Sequence, residues 1–99
     1  MTLETRLYEG NRAKEILESD VFNGAFDAIE AEVIDKWKNS PARDQAGRES
    51  LWTYLQLLQK LKAQLTSTME SGKLAALDIQ HSQTMRDKLK TVWGGMRSA

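Results

Sequence analysis

The chain has 99 residues, no cysteine and a formal net charge of zero, with 14 basic and 14 acidic residues. This length fits one small domain, and the lack of cysteine excludes disulfide bonds and thiolate metal sites. No apolar run approaches the roughly 18 residues that a membrane-spanning helix needs. The first residues carry acids and no apolar core, unlike a signal peptide. These features predict a cytoplasmic protein without membrane contact.

The first predicted helix runs from about Leu3 to Glu18 and carries only a thin apolar stripe. Its apolar members are Leu7, Ala13, Ile16 and Leu17. Gly10 and Asn11 interrupt the pattern, and glycine costs about 1 kcal/mol relative to alanine inside a helix. We therefore expect this helix to be short, kinked or ordered only against a partner.

The second predicted helix runs from about Val21 to Lys38. Apolar residues recur along it at steps of four, three, four and four: Phe22, Phe26, Ile29, Val33 and Trp37. This spacing places them on one helix face. Asp20 is the predicted N-cap, and Lys36 and Lys38 favour the negative end of the helix dipole.

Pro41 separates the second helix from the third, because proline disfavours helix at the preceding residue. Asp44 is the predicted N-cap of the third helix, which continues to about Ser71. Gly72 is then predicted to end it as a left-handed C-cap. Two amphipathic helices joined by a short loop predict an antiparallel hairpin.

The third helix has a wider apolar face than a surface helix needs. Its apolar arc covers about 220°, against roughly 100° for an ordinary amphipathic helix. This excess predicts contacts on more than one side, including self-association. The predicted oligomer or partner interface consists of Tyr54, Leu57, Leu58, Leu61, Leu65, Met69 and Trp93.

The pattern weakens after Gly72. Met85, Leu89 and Val92 or Trp93 form a short helical stripe, and the pair Gly94-Gly95 is expected to end any helix there. The predicted fold is therefore all-α and oligomeric: a helical hairpin with a shorter N-terminal helix in residues 1–75, followed by a partly helical basic tail in residues 76–99. Either this tail or another chain is expected to cover Leu57 and Leu61.

Charge is distributed unevenly along the chain. Residues 1–40 hold nine acids and five bases, a net charge of −4, whereas residues 73–99 hold five bases and two acids, a net charge of +3. The tail residues Arg86, Lys88, Lys90 and Arg97 are therefore candidates for nucleic-acid contact, with Trp93 as a stacking side chain. A sequence pI of about 6.6 favours a solvated helix that docks on protein instead.

Catalytic and metal-binding motifs receive little support from the sequence. A Ser–His–Asp set can be named from His81, Ser82 and Asp78, but such triads depend on geometry and not on local spacing. Glu32 and Lys36 are typical of a solvated ion pair one turn apart. Phosphate-binding and dinucleotide-binding glycine patterns are absent from the sequence. We expect no enzyme, no cofactor and no metal.

Four runs of the sequence, EGNRAKEILES, WKNSPARD, RESLW and MESGKLA, resemble a group of small uncharacterised proteins of tailed bacteriophages. The matching positions are Arg12, Ala13, Trp37, Lys38, Ser40, Arg48, Glu49, Leu51, Trp52, Gly72, Lys73 and Ala75. The resemblance covers residues 9–75. It implies a phage origin, in the head-assembly or packaging neighbourhood, and a location in the host cytoplasm or the virion. No activity and no catalytic residue come with it.

Three functional hypotheses follow from the sequence. The first is a non-enzymatic phage protein that self-associates and acts by protein–protein contact, as a virion component or assembly factor. The second is a nucleic-acid-binding accessory protein, such as a small packaging subunit, that uses the basic tail. The third is an inhibitor of a host enzyme or defence complex, with the acidic stretch 15–35 as its contact surface.

Overall fold

The computed structural model describes residues 1–97, with side chains to residue 93. It contains three α-helices in chain order: α1 (Leu3–Glu18), α2 (Asp20–Asn39) and α3 (Gln45–Arg97). No strand occurs within this described part, so the predicted all-α class is confirmed. The molecule is an extended rod of 85 × 24 × 16 Å, because the 53 residues of α3 span about 80 Å as a single helix.

Helix α1 has the predicted bounds and is continuous through Gly10 and Asn11. Its N-cap is Thr2, whose hydroxyl accepts a hydrogen bond from the Thr5 amide at 3.1 Å. A threonine at this position satisfies one of the amide hydrogens that lack a partner in the first turn.

A single extended residue, Ser19, joins α1 to α2. Its amide donates to the carbonyl of Ile16 at 3.1 Å, and its hydroxyl accepts from the amide of Phe22 at 3.2 Å. Ser19 therefore caps both helices. The predicted N-cap Asp20 is instead the first residue of α2, since the side chain of Ser19 already satisfies the first-turn amide.

The loop between α2 and α3 agrees with the prediction. Helix α2 ends at Asn39, just before Ser40 and Pro41, and carries Lys36 and Lys38 in its last turn. The carboxylate of Asp44 accepts a hydrogen bond from the Gly47 amide at 3.1 Å, as an N-cap does at the start of α3.

The predicted end of the third helix at Gly72 is wrong. Helix α3 continues through Gly72 and through Gly94-Gly95 to Arg97, and no glycine in the described residues has a positive φ. The residues after Gly72, Lys73-Leu74-Ala75-Ala76, have high helix propensity, so the helical hydrogen bonds continue beyond the glycine. The tail is accordingly helical as far as Arg97. The division of function between residues 1–75 and 76–99 stays a prediction.

Helix α2 packs against the first part of α3. Near the loop, the guanidinium of Arg48 lies 4.4 Å from the ring centroid of Trp37. Further along, the ammonium of Lys62 lies 4.7 Å from the ring of Phe26. These contacts follow one another along α3 in the reverse of their order along α2.

The buried core is very small. Among the described residues, the buried apolar side chains are Ala13, Phe26 and Ala75, with exposed fractions between 0% and 6%. Only one of them is large. A monomer with so little buried apolar area gains little hydrophobic stabilisation to offset the conformational entropy lost on folding.

Candidate interaction surfaces

Helices α1 and α3 meet backbone to backbone at Gly10 and Gly72. A Cβ atom built on Gly10 would lie 2.5 Å from the Cα of Gly72, and one built on Gly72 would lie 2.6 Å from the Cα of Gly10. Both distances are far inside van der Waals contact, so only glycine fits at either position. The buried residues Ala13 and Ala75 extend the same contact.

Arg6 fixes this crossing with two hydrogen bonds. Its Nε donates to the hydroxyl of Ser71 at 2.9 Å, and its Nη2 donates to the carbonyl of Ser71 at 3.1 Å. A rigid guanidinium can make both bonds at once, whereas a lysine ammonium has no such fork. The sequence analysis missed this contact. The repeated spacing Gly-x-x-Ala, at 10–13 and 72–75, is the signal that could have revealed it.

The second surface is a groove beside α2 on the first part of α3. Its walls include Ile29 and Val33 of α2. On the α3 side lie Tyr54, Leu57 and Leu61, whose exposed fractions are between 53% and 62%. The tail runs onward as part of α3 and leaves these three residues uncovered. Of the two covers expected from the sequence, the tail and another chain, only another chain remains as a candidate.

The other predicted interface residues divide into two groups. Leu58, Leu65 and Met69 are half-buried on α3, so their own chain already covers part of each side chain. Trp93 lies near the end of α3 and is 63% exposed. The predicted set is therefore not one continuous surface.

A small apolar cleft of about 270 Å³ lies at the loop end of α2 and α3. Trp37 and Trp52 both line it, together with Val33, Ile34, Leu51 and Leu55. Arg48 holds the neighbouring turn by donating from Nη1 to the hydroxyl of Ser40 at 2.9 Å and to the carbonyl of Trp37 at 3.2 Å. The two indoles shape this end of the molecule and stay partly exposed.

The third surface is the second part of α3. Every residue from Gln80 to Trp93 is exposed, so no part of the chain covers this helix within the described residues. The candidate nucleic-acid contacts Arg86, Lys88 and Lys90 lie here. The side chain of the fourth candidate, Arg97, falls outside the described residues.

Groups suited to catalysis or metal binding are scattered. His81, Ser82 and Asp78 are all exposed on α3. No cluster of three or more potential metal ligands occurs in the part of the chain that the structure describes. Lys36 pairs with Glu32 at 3.0 Å, as the sequence predicted.

Arg12 lies in a small surface cluster with Tyr8 and Glu15. Interactions with Tyr8, and then with Glu15, raise the pKa of Arg12 above its ordinary value. Arg12 Nη1 lies 3.0 Å from Glu15 Oε2, and the guanidinium carbon lies 5.6 Å from the centroid of the Tyr8 ring. Because both contacts favour the charged form, Arg12 keeps its positive charge at physiological pH.

Within the described residues, no helix combines the length and the apolar content needed to cross a membrane. Comparison with known proteins gives no match to a family model, to a curated protein or to a solved structure.

Proposed function

We propose that this chain is a non-enzymatic helical protein that self-associates and acts by contact with other proteins. The main support for this proposal is the large solvent-accessible surface area of the chain. This area is 7913 Å², whereas a compact monomer of 11.2 kDa exposes about 5,700 Å². The excess of about 2,200 Å² per chain exceeds the roughly 800 Å² that each partner buries in a standard interface.

The distribution of apolar side chains supports the same proposal. Large apolar residues stay exposed in the groove of Tyr54, Leu57 and Leu61, and again along the end of α3. Groups of neighbouring exposed apolar side chains on small proteins mark interaction sites. We propose that residues 20–71 form the stable antiparallel hairpin and that both apolar surfaces are covered in the assembly.

The resemblance of residues 9–75 to a tailed-phage protein group sets the proposed context: a virion component or an assembly factor, found in the virion or the host cytoplasm. Its partners are further copies of itself and other phage or host proteins.

Light scattering and native mass spectrometry of the full chain test self-association. We expect a dimer or larger species at micromolar concentration, and a monodisperse monomer would contradict the proposal. Mass spectrometry of purified particles from the source phage tests the context. Detection in the particle supports a virion component, and detection only in infected cells supports an assembly factor.

Nucleic-acid binding by the tail is the second candidate. At 100° per residue, Arg86, Lys90 and Trp93 share one face of the exposed helix, and Asp87 lies off that face. Basic side chains beside an aromatic ring suit a phosphate backbone with a stacked base. This candidate predicts DNA binding that weakens steeply with salt and is lost in R86Q/K90Q. No binding at low salt would exclude it.

A further inference from the structure

The last part of α3, from residue 74 to residue 92, carries a second amphipathic pattern on the side away from α1. Taking 100° per residue, eight residues fall within an arc of about 120°. We call this the C-terminal face; it consists of Leu74, Leu77, Asp78, His81, Met85, Lys88, Leu89 and Val92. All eight are exposed, and the five apolar ones have exposed fractions between 46% and 61%.

Helix α1 does not compete for this face. The buried contacts of α3 with α1, at Gly72 and Ala75, lie about 90° or more away from the centre of the face. A second helix can therefore lie along the C-terminal face without displacing α1.

The order of residues along the face is symmetric about residue 83. If a second copy of the helix is placed antiparallel about this point, Leu74 lies opposite Val92 and Leu77 lies opposite Leu89. Asp78 then lies opposite Lys88, and His81 lies opposite Met85. Each residue of the face therefore lies opposite another residue of the face. Apolar residues meet at both ends, and the acid meets a base.

We infer that two copies of this chain pair antiparallel through their C-terminal faces, with a twofold axis at residue 83. This inference rests on the proposed self-association and names its surface and register. A twofold contact requires one patch that complements itself, and the C-terminal face satisfies this requirement.

Charge selects the antiparallel arrangement. Each Asp78 lies opposite the partner copy's Lys88, which gives two opposite-charge pairs per dimer. A parallel pair in register would place Asp78 against Asp78 and Lys88 against Lys88, and like charges facing each other destabilise such helices. Polar residues within an apolar helix interface commonly fix register and orientation at some cost in stability.

The paired region is about five helical turns long. The face extends from residue 74 to residue 92, about 27 Å of helix. Its five apolar side chains are all exposed in the single chain and are open to a second copy along this length. The two hairpins then lie at opposite ends of the dimer, and each groove is covered by a further partner in the assembly.

Spin-label distances in the full chain test the register, because the protein has no cysteine of its own. Labels are attached to Thr84→Cys and, separately, to Lys73→Cys, both at the edge of the C-terminal face. Antiparallel pairing places two labels at 84 within about 20 Å, because each is one residue from the twofold. It separates two labels at 73 by about 30 Å along the axis, since each is ten residues from the twofold.

The outcomes are distinct. A monomer by light scattering contradicts both the proposed self-association and this register. A dimer with short distances at both sites is parallel, and it contradicts the register while the proposed self-association stands. A dimer without coupling at 84 uses another surface, and again only the register fails.

A charge exchange provides an independent check. We expect D78K and K88D each to raise the dimer Kd about tenfold, because each change converts two attractive pairs into repulsive ones. The double variant D78K/K88D should return the Kd to within about threefold of the parent value. Failure of this restoration would overturn the register. Both residues are exposed in the single chain, so folding of the hairpin should be unaffected.

Discussion

The two halves of α3 differ in what covers them. The packed half, residues 45–79, lies against α1 and α2, including a backbone contact at Gly72. The uncovered half, residues 80–93, is exposed at every position. It continues the packed half as one helix and so needs no nucleus of its own. Among the described residues, tertiary packing therefore stabilises the packed half, whereas the uncovered half relies on helix propensity.

Replacement of Phe26 of α2, which packs against the packed half of α3, by alanine should have the largest effect. Among the described residues Phe26 is the only large buried side chain, and truncation of a buried phenylalanine costs about 3 kcal/mol or more. We expect a decrease of this size in the free energy of unfolding, measured by urea denaturation with circular dichroism at fixed protein concentration. Val21→Ala, at a residue that is 83% exposed, is the control and should change stability by less than about 0.5 kcal/mol.

Gly10→Ala should cost about 2 kcal/mol by forcing α1 away from α3. The new methyl would lie 2.5 Å from the Cα of Gly72, and this overpacking outweighs the gain of about 1 kcal/mol in helix propensity. Thermal unfolding followed by circular dichroism measures the change.

Gly24→Ala is the matched control for this substitution. A Cβ at Gly24 meets nothing within 4 Å, so only the propensity gain applies. This variant should be more stable than the parent by about 0.5–1 kcal/mol. If both variants gain stability, the crossing is looser than the structure shows.

Arg6→Ala should cost about 1–2 kcal/mol, since it removes two hydrogen bonds to Ser71 from a charged donor. Arg6→Lys should recover little of this loss, because lysine cannot make the forked contact. Urea denaturation of both variants checks the prediction, and full stability of Arg6→Lys would argue against a role for the fork.

Leu89→Gln should have the smallest effect on folding. It should weaken the dimer without changing the stability of the packed half. Leu89 is 54% exposed in the single chain, so the free energy of unfolding of the packed half should change by less than about 0.5 kcal/mol. The dimer Kd should rise by about tenfold or more, because two apolar contacts per dimer are lost. Light scattering across a dilution series measures the Kd, and an unchanged Kd would place the contact elsewhere.

Much of the local structure could be predicted from the sequence. The bounds of α1 and the start of α3 depend on capping residues and apolar spacing, which act within a few residues. The cap at Ser19 was missed by one position, because serine and aspartate both serve as N-caps and only the backbone geometry separates them.

The candidate surfaces could be predicted only in part. Tyr54, Leu57 and Leu61 are exposed, as an excess of apolar residues on the third helix had indicated. Leu58, Leu65 and Met69 belong to the same apolar arc but are half-buried in their own chain. Spacing defines a face of a helix. It does not state which part of that face the rest of the chain covers.

Gly72 shows where the sequence alone stops. A glycine after an amphipathic helix fits a left-handed cap and equally fits a close helix crossing, and the two uses share one sequence signal. Sequence determined the helical class, the three helical segments and the cap at Asp44, because these depend on neighbouring residues. Only the tertiary structure decided that Gly72 faces Gly10 inside a continuous helix and that Arg6 binds Ser71, because these contacts join residues more than sixty positions apart in the chain.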